Sequence, residues 1–280
     1  MFFYQLKGEL WKLFGKKRTY LGFLMLLLAQ LLIASLLRFY PPAHRSLMHT
    51  VERSGFGPGR YLSMLTVATV MVVVLAYTML PLYVALIGGD LVSKEAEDGT
   101  LRMILARPVS RVRLLCLKWL AGSIFSAVLV LLLMLGGLLC CGLFFPATGG
   151  LFVQIPGEDL AVFGFAGGLE HFLLAHLFLI AKAITIMSLA FMFSCFNMKP
   201  AAAAILALSL LLLDRILMEI PYFHDLTEYF VGYHLNLWQT LFQEHIPWWR
   251  IGESLGILFG LSLSFLIVGT TVFQVRDIKS

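Results

Sequence analysis

The sequence predicts an all-α polytopic membrane protein: six transmembrane helices, an N-terminal interfacial helix, and a short cytoplasmic helix between the second and third spans. Three observations predict it. First, 60% of the 280 residues are hydrophobic and only 13% are charged, whereas soluble chains run nearer half apolar and about a quarter charged. With a mean hydropathy of +0.88, the apolar surplus has to be solvated by lipid. Second, six apolar runs approach the roughly 20 residues a helix needs to cross the hydrocarbon core. Third, lysine and arginine are split unevenly between the two sides that those runs define. The composition excludes disorder, which requires low hydrophobicity and high charge. A net charge of +5 in so apolar a chain reflects basic loops kept on the cytoplasmic side rather than nucleic-acid binding.

The elements follow in order. Residues 1–18 carry Phe3, Leu6, Leu10, Leu13 and Phe14 at helical spacing, with Lys7 and the Lys16-Lys17-Arg18 cluster placed toward water or phosphate, as in a helix lying in the membrane interface. The first span, 20–37, exceeds a signal-peptide core of about 7 to 15 residues and meets Arg38, Phe39, Tyr40 and two prolines, so it is expected to remain uncleaved. The remaining spans are expected at 64–88, with Pro81 inside, and at 119–145, 170–195, 201–220 and 252–273. No fixed-period internal repeat is present.

In this arrangement one side holds fourteen basic residues: Lys7, Lys12, Lys16, Lys17 and Arg18; Lys94, Arg102, Arg107, Arg111, Arg113 and Lys118; Lys199, Arg276 and Lys279. The other holds six, Arg38, Arg45, Arg53, Arg60, Arg215 and Arg250. Both termini are therefore expected in the cytoplasm. The loop 38–60 is the exception, with four arginines outside; headgroup contact by snorkelling and attraction of an anionic substrate both fit it. The 146–168 loop is Gly-rich, carries Glu158 and Asp159 without lysine or arginine, and suits the outside. Cys116, Cys140, Cys141 and Cys195 read as small apolar residues rather than a disulfide or metal framework.

The densest charge lies in 89–118. Glu95, Glu97 and Asp98 precede Gly99 and Thr100, a turn and helix start in which glycine permits the bend and carboxylates favour a helix N-terminus. Leu101, Ile104 and Leu105 then recur at helical spacing, Pro108 breaks the helix, and Ser110 can cap the helix feeding the third span. The expected result is a short amphipathic helix held between two bends. The string EAEDGTLRMILARPVSRVRLLCLKWLA closely resembles the E…GTL…PvsR…K segment of permeases of type-2, export-class ATP-binding-cassette transporters. The layout of the rest of the chain fits as well.

That resemblance implies a single permease domain, 1–280, with an elbow helix at 1–18, a coupling segment at 89–118 and an outer or re-entrant helical segment at 221–250. It also implies an ABC ATPase subunit in two copies, a second or homologous permease copy meeting it partly through the first and fifth spans, and a bacterial inner-membrane location. The positions carried over as ATPase-coupling are Glu95, Glu97, Gly99, Thr100, Leu101, Arg102, Arg107, Pro108, Ser110 and Arg111. No GxxxxGK[ST] phosphate loop occurs: the only Gly-Lys pair, Gly15-Lys16, has Leu10 five residues before it. No cofactor is expected on this chain, so ATP and magnesium belong to the partner ATPase, and no catalytic or metal residue is assigned.

Lys182 and Asp214 fall inside the fourth and fifth spans, each sixteen residues from Met198 at the turn between them. An antiparallel hairpin places them at similar depth, where charges need partners. They are expected to pair, or to share a polar patch with Arg215, as a structural lock or as part of a substrate path. The 221–250 segment is rich in aromatics and histidine and suits one or two short helices at the outer interface. Spacings of ten and eleven between His224, His234 and His245 put no two on adjacent helical turns, which disfavours a metal site. Two other functions compete. An intramembrane protease is suggested by Glu97-Asp98 with Arg102 and by Phe172 with His176, but Glu97 falls in a loop and no HxxxN completes the set. A secondary transporter or channel would have no use for a mixed-charge helix between the second and third spans.

Overall fold

The computed structural model describes residues 2–101, 110–154 and 160–275. The chain opens with α1 (Phe2–Phe14) and α2 (Lys17–Phe39), followed by α3 (Pro41–Arg53) and a one-turn α4 (Pro58–Tyr61). Next come α5 (Met64–Tyr77), α6 (Met79–Glu97), α7 (Arg111–Gly142), a two-stranded hairpin of β1 (Leu151–Val153) and β2 (Ala161–Phe163), α8 (Phe165–Ser194) and α9 (Pro200–Met218). Two 3₁₀ helices, Pro221–Tyr229 and Leu237–Phe242, flank α10 (Val231–Asn236), and α11 (Trp248–Val275) closes the described chain. Among the described residues, five helices, α2, α7, α8, α9 and α11, are long and apolar enough to cross a membrane, and the count is six when the bent pair α5–α6 is taken as one broken span. The chain is an all-α polytopic membrane protein.

α8 is the axis of the bundle: two-thirds of its apolar window is buried inside the protein, against about a fifth for α2, α9 and α11. It packs against α6, α7, α9 and α11. Lipid is as apolar as a leucine face, so helices in a bilayer associate through close packing and hydrogen bonds rather than through the hydrophobic effect. Gly88 and Gly89 supply the close approach. A β-carbon on Gly88 would lie 2.9 Å from the Ala190 side chain on α8, and one on Gly89 would lie 2.8 Å from the Pro200 carbonyl and 3.1 Å from the Ala204 amide on α9. The hydrogen bonds include Ser93 Oγ donating to the Ser194 carbonyl at 2.9 Å, Trp119 Nε1 to Ser188 Oγ at 2.7 Å, and Gln30 Nε2 to the Leu133 carbonyl at 2.7 Å.

Four expectations change. The second span runs on to Glu97 and bends by 41° at Thr78. Pro81 has no amide to give the Tyr77 carbonyl four residues back, which weakens the helix at that turn. The third span starts at Arg111, eight residues before the expected 119, so both flanks of the 89–118 segment are continuous with membrane helices. The 38–60 segment is mostly α3, an amphipathic helix begun by Pro41 and Pro42 after the extended Tyr40. The 146–168 loop contains the antiparallel hairpin, with Leu151 opposite Phe163 and Val153 opposite Ala161. Phe152 N donates to Thr66 Oγ1 and Ser63 Oγ donates to the Gly150 carbonyl, so the hairpin seals the start of α5. Glu158, Asp159, Arg276 and Lys279 lie outside the described residues.

Candidate functional site

The charged end of the bundle is built where α6 stops and α7 starts. α6 terminates through Gly99, whose φ of +72° is open to glycine and strained for other residues. Thr100 Oγ1 folds back onto the Glu95 carbonyl at 3.3 Å, and Leu101 is buried at 2% exposure, which draws the chain inward just past the turn. Ser110 Oγ accepts from the Arg113 amide at 3.3 Å and so caps α7, as its position in the sequence suggests. Arg102, Arg107 and Pro108, with the expected helix through Ile104 and Leu105, lie outside the described residues.

The acidic cluster divides into two environments. Glu97 and Asp98 are half exposed, and Lys94 bridges them at 2.9 and 3.2 Å. This triad is open to solvent, where such pairs contribute little stability. Glu95 turns the other way. Its Oε1 accepts from Lys118 Nζ at 2.7 Å and from Lys12 Nζ at 3.4 Å, and the same lysines hold Glu9 at 2.9 and 2.6 Å. The four charges alternate in sign around a closed circuit joining α1, α6 and α7. The Lys118 side chain is 2% exposed, and Glu9 and Glu95 are 12% and 16% exposed. Burial works to raise the Glu9 carboxyl, but Lys118 beside it and hydrogen bonds from Lys12 and Lys118 hold it below its ordinary value. Burial likewise opposes the charge on Lys12, and Glu9 and Glu95 lift it above the ordinary lysine value. Removing one member of so buried a network strands its partners, at a cost of about 3 kcal/mol or more. Glu95 Oε2 is buried and has no hydrogen-bond partner among the described residues.

Aromatic packing reinforces the same joint. Phe125 of α7 lies 5.4 Å from both Phe14 of α1 and Phe23 of α2, with ring centroids at offset-stacking distance. Arg111 is occupied elsewhere: its Nη1 donates to the Phe273 and Gln274 carbonyls at 3.4 and 3.2 Å. It thereby ties the last span, near the end of its described residues, to the start of the third. Of the positions carried over from the sequence, Glu97 faces solvent, Gly99, Thr100, Leu101 and Ser110 shape the turns, and Glu95 and Arg111 bind inward. Glu9, Lys12 and Lys118 complete the joint and were not singled out by sequence reasoning. The available signal was Glu9, the only acidic residue before the first span, three positions ahead of Lys12.

In the membrane, Lys182 and Asp214 do not pair, which corrects the expectation from their depth. Asp214 accepts from the backbone amides of Val231 and Gly232, at 3.2 and 2.6 Å, capping the start of α10. Those amides have no partner within their own helix, so they outcompete a side chain across the bundle. Lys182, 3% exposed, donates instead to Asn236 Oδ1 at 3.1 Å. Arg215 joins Lys182 but not Asp214: Lys182 Nζ lies 4.7 Å and Arg215 Cζ 4.8 Å from the centroid of Tyr77, so the expected three-residue patch is reduced to two cations on one aromatic ring.

The sequence model of a family described as ABC-2 family transporter protein matches residues 11–278. A protein of Bacillus subtilis (strain 168), described as uncharacterized protein YhcI, is 35% identical over 69 residues, a stretch that takes in 25% of this chain and 22% of that protein.

Proposed function

Because the chain belongs to the ABC-2 family of transporters, we propose that it is the permease subunit of an ATP-driven exporter, coupled through residues 89–118 to a separate ATPase. Two copies of each subunit make the transporter, the second permease being identical or homologous. The ATPase binds ATP and magnesium, and its hydrolysis supplies the work. The assembly sits in a bacterial inner membrane with both termini of this chain in the cytoplasm, the side indicated by the fourteen basic residues.

The observation that supports this reading most is the continuity of the charged segment with two membrane helices. α6 extends to Glu97 and α7 begins at Arg111, so a subunit pressing on the residues between them moves two rods at once. At a rise of about 1.5 Å per residue, α7 carries such a displacement roughly 48 Å, the depth of the membrane and more. The Lys118 network adds the interfacial helix to the moving body, and the break at Thr78 gives the second span a place to flex. Glu97 and Asp98 remain exposed at the tip, available to basic groups on a partner.

Co-purification tests the division of labour. The chain expressed with its ATPase should recover that subunit from detergent, and Glu97→Arg should cut recovery about tenfold, equivalent to roughly 1.4 kcal/mol. ATP hydrolysis by the purified chain alone, or undiminished recovery with the variant, contradicts the proposal.

A further inference from the structure

At the end of the bundle opposite the charged segment, a cavity of about 550 Å³ opens between the 221–236 segment and α11. Ligand sites commonly fall in the range of about 300 to 1,000 Å³ and combine apolar walls with a few convergent polar groups. Glu228, Glu253 and Arg250 line it with the rings of Tyr229, Tyr233 and Trp249. All three charged residues are exposed, and none is ion-paired among the described residues. The floor is fixed: His234 is buried, with Nδ1 bonded to Ser254 Oγ at 2.9 Å.

The lining changes character along α11. Arg250, Glu253 and Ser254 are followed by Ile257 and Leu261, residues that recur at three and four and so share one helix face. From Arg250 to Leu261 is about 16 Å of helix, running from the membrane-end aromatics into the span. One end of the cavity therefore offers two carboxylates, one guanidinium and three aromatic rings, and the other offers aliphatic side chains at bilayer depth.

We propose that this cavity binds a zwitterionic amphiphile, its ammonium held by Glu228 and Glu253 among the aromatic rings, its phosphate by Arg250, and its chain along Ile257 and Leu261. Carboxylates and ring faces both attract an ammonium, guanidinium is the matching partner for phosphate, and a single polar headgroup carrying both charges satisfies all three side chains. A headgroup of the surrounding bilayer and a transported amphiphile share this chemistry. The site does not depend on the ATPase, so its test stands apart from that of the coupling proposal.

The full-length chain in detergent is titrated with dihexanoyl phosphatidylethanolamine, dihexanoyl phosphatidylglycerol and free phosphoethanolamine, with tryptophan emission as readout and Trp249→Phe assigning the signal. Saturable binding of the zwitterionic lipid is expected, with the glycerol lipid and the chainless headgroup each at least tenfold weaker. Arg250→Gln should weaken the zwitterionic lipid about tenfold, and Glu228→Gln with Glu253→Gln should abolish the preference over the glycerol lipid. These are exposed positions, and unchanged thermal unfolding certifies the variants. Equal affinity for the two lipids, equally tight binding of free phosphoethanolamine, or indifference to the substitutions overturns the proposal.

Discussion

Two regions of this molecule bury lysine, and they solve the problem in opposite ways. At the charged end of the bundle, Lys118 meets two carboxylates, Glu9 and Glu95, with Lys12 balancing the second negative charge. Within the membrane, Lys182 meets an amide oxygen and the Tyr77 ring, which it shares with a second cation, while the nearest carboxylate in sequence register, Asp214, is drawn off to backbone amides. Depth and charge specify the need for a partner without specifying the partner. Helix ends compete for carboxylates on equal terms with lysine, and at α10 the helix end wins.

Substitutions that separate these two solutions should have graded effects. The largest is expected for Lys118→Ala, which leaves two buried carboxylates sharing only Lys12: about 3 kcal/mol of lost stability, read by denaturant unfolding in detergent. A double-mutant cycle with Glu95→Gln should recover a coupling of about 1 to 3 kcal/mol; additivity within error would break the circuit into unrelated surface charges. Next is Asp214→Ala, with a loss of about 2 kcal/mol from two hydrogen bonds to a charged acceptor. The exchange Lys182→Asp with Asp214→Lys should give no rescue of either single variant, because the two side chains are not partners. Rescue would return them to a pair.

Lys182→Met should stay within about 1 kcal/mol of the parent, since it orphans one amide oxygen and no carboxylate. A loss as large as that of Lys118→Ala would erase the contrast between the regions. The smallest effect is expected from pH. Glu9 has its pKa lowered from 4.5, so its contribution is complete above that value and is lost as pH falls through the lower folded value. Lys12 has its pKa raised from 10.5, so its contribution is complete below 10.5 and is lost as pH rises through the higher folded value. Protection of the 2–14 amides from hydrogen exchange, corrected for intrinsic rates, should therefore be flat from pH 5 to 10 on the basis of these two groups and fall only outside that window. A drop near neutrality would point to a different titrating group at the joint.

The candidate crossings were legible because a span of lipid-facing helix leaves an apolar run that little else imitates, and the helix cap at Ser110 and the turn at Gly99 announce themselves by residue type. What escaped was structure without a local signature. The α3 helix is amphipathic and mostly exposed, and its arginines read as loop charge. Each hairpin strand is only three residues long, too short for alternation to register. The Lys118 circuit joins residues 83 and 109 positions apart, and such pairing is visible in a sequence only once the helices have been placed side by side. At Asp214 the sequence located the charge and misjudged its partner: short helices were expected within 221–250, but not that one of them would start at Val231 with its first amides on Asp214.

We propose that a separate ATPase engages this permease at the exposed tip beyond α6, beside the Lys118 joint. A photo-crosslinking side chain placed at Asp98, with a control at Glu52 on α3, tests it most directly in membranes containing both subunits. A crosslink to the ATPase is expected from position 98 and none from position 52, at the other end of the bundle. Crosslinking from position 52 instead, or from neither position with both subunits present, contradicts it.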